Sequence, residues 1–105
     1  MITKERMEEA LMFLSSTDEE CADLRAKMER AEYKARAVRD AVFRHVEGTV
    51  ADRTAQAGCS DEYMTAMNEY FDLLRMYEAM RNRRATETIV IEAWRSINAN
   101  RRQAA

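Results

Sequence analysis

His45, Cys21 and Cys59 are the residues of this chain best suited to proton transfer or nucleophilic attack, and His45 is its only histidine. A thiol becomes a nucleophile when a nearby base or positive charge favours the thiolate. Nothing in Gly58-Cys59-Ser60-Asp61 supplies such a neighbour. The cysteine pair matches no zinc spacing and cannot form a disulfide framework. His45 closes a run of apolar seam positions, where packing or capping is its expected role. Carboxylates are plentiful, but the Glu-x-x-His pairs that build metal sites in helical bundles are absent, as is a glycine-rich phosphate loop. The expectation is a non-enzyme with no catalytic residue, metal, cofactor or small-molecule substrate.

The arginines are the stronger functional candidates. Arg81, Arg83, Arg84, Arg95, Arg101 and Arg102, with Trp94 among them, combine positive charge with one aromatic face. Those two ingredients hold phosphate backbones and stack bases. In residues 81–105 they oppose only Glu87 and Glu92. The first 23 residues reverse the balance, setting Glu5, Glu8, Glu9, Asp18, Glu19, Glu20 and Asp23 against Lys4 and Arg6. This polarity, hidden inside a net charge of −2, either steers a partner to one end or lets the two ends of the chain pair with each other. Glu5, Glu8 and Glu9 form an alternative acidic face for a protein partner.

These side chains must be carried by helices. Proline is absent, and Gly48 and Gly58 are the only glycines. Met7, Leu11 and Leu14 share a face of an expected short helix over 3–14. Ser16, followed by Glu19, reads as a capping box that starts a second helix over 17–46. Its seam runs Cys21, Leu24, Met28, Ala31, Ala35, Val38 and Val42 in alternating steps of three and four, with charges of both signs between. Gly48 then ends the helix, a short one follows over 49–57, and Gly58 gives way to a long helix over 61–101.

The stripe Tyr63, Met64, Met67, Tyr70, Phe71, Leu74, Tyr77 and Met80 offers large side chains to the small Ala31 and Ala35. The fold class expected is all-α: a single helical-hairpin domain over 1–105, long, antiparallel and coiled-coil-like. A chain of 105 residues builds a small core, so a homodimer or higher oligomer closing a helical bundle is expected too. The patch Ile89, Val90, Ile91, Ala93, Trp94 and Ile97 needs cover from either the first helix or a second subunit. No apolar run approaches the roughly twenty residues of a membrane span, and the N-terminus is too acidic for a signal or transit peptide. A cytoplasmic protein is expected.

Two segments, Gly48-Thr49-Val50-Ala51-Asp52-Arg53 and Trp94-Arg95-Ser96-Ile97-Asn98-Ala99-Asn100-Arg101-Arg102, resemble small helical proteins of unknown function encoded by tailed bacteriophages and prophages. The resemblance covers roughly residues 32–102. It implies an accessory role in phage DNA replication or recombination, carried out in the host cytoplasm, and it supplies no catalytic residues. The partner would be single-stranded or duplex DNA, or a DNA-bound protein. Two other readings remain open: an inhibitor or modulator of a host enzyme or defence complex, and a virion assembly or scaffolding part. Arg53 is expected to reach an acid on a neighbouring helix.

Overall fold

The computed structural model describes residues 1–104 and contains three helices: α1 (Lys4–His45), α2 (Val50–Gly58) and α3 (Asp61–Ala104). There is no strand among the described residues. The packing falls into two units, Met1–Ala22 with Glu78–Ala105, and Asp23–Tyr77. Both α1 and α3 contribute a segment to each. Within each unit the two segments run antiparallel. In the first, Arg6 meets Glu87 and Asp18 meets Arg84; in the second, Lys34 meets Glu69 and Arg39 lies over Tyr63.

The expected break between a helix over 3–14 and one over 17–46 does not occur, because α1 continues through it. Ser15 and Ser16 donate back to the carbonyls of Met12 and Phe13 at 3.1 and 3.2 Å, and Thr17 donates to Phe13 O at 2.7 Å. Hydroxyls able to cap a helix can equally return their proton to the preceding turn. Here the unbroken apolar spacing decides between the two. Met7, Ala10, Leu14, Thr17 and Cys21 keep the three-four step, and a break would throw it out of register. The unbroken α1 has 42 residues against 44 in α3, where the expected helices over 17–46 and 61–101 differ more in length. The cap at the start of α1 is Thr3, whose hydroxyl accepts from Arg6 N at 3.1 Å.

In the second unit, α1 buries Leu24, Ala31 and Ala35, with Met28, Val38 and Val42 half-buried, as the seam requires. The α3 stripe is shifted from expectation. Ala66 is buried and Leu73 half-buried, whereas Met64 and Phe71 are 50% and 52% exposed. A three-four seam through Tyr63 passes to Ala66, Tyr70, Leu73 and Tyr77. Met64 and Phe71 lie one position further on, turned about 100° around the helix.

Gly48 ends α1 at φ +125°, a conformation that side chains with a Cβ rarely adopt. A Cβ there would also stand 3.0 Å from that of Asp52. Thr49 and Asp52 then form a reciprocal capping box, each side chain accepting from the other's backbone N–H. Arg53 does not reach an acid. Its Nε donates to Phe43 O at 3.1 Å, and its guanidinium sits 4.2 Å from the Phe43 ring centre. The carbonyls of a helix C-terminus attract positive charge, so Arg53 ties α2 to the last turn of α1. Gln56 adds a bond to Glu47 O at 3.1 Å. Ser60 caps α3 by accepting from Tyr63 N at 3.2 Å. Gly58, by contrast, closes α2 with open space around it and no positive φ.

In the first unit, Met7, Ala10 and Ile91 are buried together, with Leu14, Val90 and Trp94 packed against them. The apolar patch near the end of α3 is therefore covered from within the chain by the start of α1. Ile89 stays 62% exposed.

Candidate interaction surfaces

Along α3 in the first unit, the seam continues Met80, Arg84, Glu87, Ile91, Trp94. Two charged residues thus occupy positions that face α1. Glu87 is only 7% exposed. Arg6 meets it with two parallel hydrogen bonds, Nη1 to Oε2 at 2.7 Å and Nη2 to Oε1 at 2.9 Å. Paired, charge-assisted bonds of this kind are the strong ones. They hold the Glu87 carboxyl below the usual glutamate range, against an opposing push from its burial, and raise the Arg6 guanidinium further.

Arg84 reaches Leu14 O at 2.8 Å, Thr17 Oγ1 at 2.6 Å and the carboxylate of Asp18. Thr17 thereby has both roles filled: its hydroxyl donates to Phe13 O and accepts from Arg84. Arg83 lies over the Phe13 ring, 3.9 Å from its centre, where the ring's negative face attracts a cation. Every buried side-chain nitrogen or oxygen among the described residues has a partner. A fully satisfied polar layer in an apolar seam fixes register, since sliding α1 past α3 would strand these groups.

This layer redistributes the candidate arginines. Arg84 is held by α1, Arg83 is exposed but rests over the Phe13 ring, and Trp94 packs against the core cluster. Arg81 is exposed with Glu78 at 3.8 Å, and Arg101 donates to Met1 Sδ at 3.1 Å. Arg95 and Arg102 are exposed, with no ion pair among the described residues. They stand seven residues apart on one ridge of α3, about 10 Å along the axis.

The charge polarity of the termini is only partly internal. Asp18–Arg84 joins the acidic segment to the basic one, but Arg6–Glu87 joins the minority charges of each. Glu5, Glu8 and Glu9 all face outward on α1, Glu8 lying 4.0 Å from Lys4.

Sequence spacing held the signal for Arg84 and Glu87, because they keep the three-four step between Met80 and Ile91. Polarity alone concealed them. Arg6 carried no such signal, since it flanks the seam and reaches Glu87 by its length.

His45 is exposed at the end of α1, beside an open groove of about 500 Å³ lined by Val38, Ala41, Val42, Val46 and Glu62. Cys59 is exposed and Cys21 half-buried, both as free thiols. The exposed apolar side chains of the second unit include Tyr33, Met64, Phe71 and Met76. No helix among the described residues is long and apolar enough to cross a membrane. No protein-family model, curated protein or solved structure matches the chain.

Proposed function

We propose that this chain is a non-enzymatic helical interaction module, a phage-type accessory or adaptor that acts by laying outward helix faces against other helices. Its partner in DNA replication or recombination is then a DNA-bound protein more than DNA itself. The observation that carries this reading is the engagement of Arg83 and Arg84 by Phe13, Leu14, Thr17 and Asp18, while large apolar side chains such as Met64 and Phe71 face outward. Exposed apolar stripes flanked by charges favour protein contacts. The likeness of the Gly48–Arg53 and Trp94–Arg102 segments to phage proteins supports the same setting.

Fluorescence anisotropy with single-stranded and duplex oligonucleotides across a salt series tests it. The expected result is weak or no binding. Tight binding that falls steeply with salt, the signature of phosphate contacts, would refute the preference for protein. One observation favours a second reading, nucleic acid held at the end of α3: Arg95 and Arg102 share an exposed ridge without internal ion pairs among the described residues. In that case Arg95→Glu with Arg102→Glu abolishes the binding. A host-protein target met by Glu5, Glu8 and Glu9 predicts instead that neutralising these three releases it.

A further inference from the structure

On α3 of the second unit, Met64, Met67, Phe71 and Leu74 repeat the three-four step one position away from the seam that faces α1. Met64 and Phe71 are about half exposed, and Met67 and Leu74 more covered. A helix with two adjacent heptad stripes is built to pack on two sides. The first stripe is occupied by α1.

We infer that the second stripe is covered by the same stripe of a second copy, the two α3 helices crossing antiparallel about a two-fold axis near Asn68. The inference rests on the reading of the chain as an interaction module and gives that module one face. Two features of the sequence around the stripe select this occupant and this direction. The steps three, four, three read the same from either end, so antiparallel pairing sets Met64 against the partner's Leu74, and Met67 against the partner's Phe71. This is the layering of an antiparallel coiled coil.

The flanking positions are Asp61, Asn68 and Arg75, all exposed, and neither charged one has an ion pair among the described residues. Antiparallel pairing brings Asp61 beside the partner's Arg75 twice, once on each side of the axis, and Asn68 beside its own copy. Opposite charges beside a seam set partner and direction. The rings of Phe71 and Tyr70 lie 5.4 Å apart and are tilted by 48°.

Multi-angle light scattering and cysteine cross-linking on the full chain test the inference, with the two native cysteines replaced for the cross-linking. The expected results are a dimer that Phe71→Glu converts to monomer with helicity unchanged by circular dichroism, and an Asn68→Cys variant that oxidises to a disulfide-linked dimer. Asp61→Lys weakens the dimer about tenfold by placing like charges at both ends, and Asp61→Lys with Arg75→Glu restores it. A monomeric wild-type chain overturns the inference and leaves the interaction-module reading to its own test. A dimer that survives Phe71→Glu and does not cross-link through Asn68→Cys overturns this face while upholding self-association.

Discussion

Replacing Ala35 by leucine should destabilise the second unit, and the structure sets the scale. Ala35 is 0% exposed on the seam of α1, with Ala31 buried one turn before it. On either side, Lys34 is held 3.3 Å from Glu69, and Arg39 lies 5.7 Å from the centre of the Tyr63 ring. Three further carbon atoms at Ala35 must displace α3 or adopt a strained rotamer. Overpacking of this kind costs about 1–3 kcal/mol. For a domain of this size each kcal/mol moves the midpoint by roughly 4–8 °C, so Tm should fall by about 5–20 °C.

The control is Ala37→Leu, two residues on and exposed, where substitutions stay within about 0.5 kcal/mol. Both residues have similar helix propensity, so the difference between the variants reports packing alone. Thermal unfolding followed by circular dichroism at several protein concentrations separates folding from association. If Ala35→Leu melts with or above the wild-type chain, the close approach of the helices at Ala31 and Ala35 is wrong, and with it the small-against-large packing of the seam.

Gly48 and Gly58 should respond oppositely to alanine. Gly58→Ala is expected to stabilise by about 0.4–1 kcal/mol, because its helical backbone accepts a Cβ and the unfolded chain loses freedom. Gly48→Ala should destabilise by more than that, given its positive φ and the crowding by Asp52; urea melts measure both. Arg84→Ala should cost about 1.5–3 kcal/mol, the range for hydrogen bonds to a charged group, while the isosteric Thr17→Val, which removes one uncharged hydroxyl, should cost less. The Arg6–Glu87 pair predicts an acid limb. Since the folded Glu87 carboxyl is held below its ordinary value, its contribution is present above the usual glutamate pKa and is lost as pH falls through the lowered one. Glu87→Gln should flatten that part of the stability–pH curve measured by chemical denaturation, and a variant curve as steep as the wild-type one would count against the pair.

The helical hairpin was legible because its signals are periodic and local. The α1 seam from Leu24 to Val42 and the stop and restart at Gly48 and Thr49 are where the spacing places them. The junction at Ser15–Thr17 misleads for a definite reason. A hydroxyl followed by acids has the composition of an N-cap, and only the phase of the apolar step on both sides shows that it lies inside a helix. The α3 stripe blurred similarly, since Met64 and Ala66, or Phe71 and Leu73, are both available to a seam and the larger side chain looks the better choice. Packing selects the smaller Ala66 and leaves the large residues outward. Of the candidate site, Arg95 and Arg102 are exposed, but the engagement of Arg83 and Arg84 depends on contacts with residues some seventy positions away. No local pattern encodes those.

Antiparallel pairing of α1 with α3 engages Arg83, Arg84 and Glu87. Nuclear Overhauser contacts in the isotope-labelled chain test it most directly. Cross-peaks are expected from the Phe13 ring to the Arg83 side chain, from Thr17 to Arg84, and from the Ala10 methyl to Ile91, with unbroken helical connectivities through Ser15–Thr17. A break in those connectivities, together with Arg83 and Arg84 side chains that show no contact to residues 13–18, would contradict it.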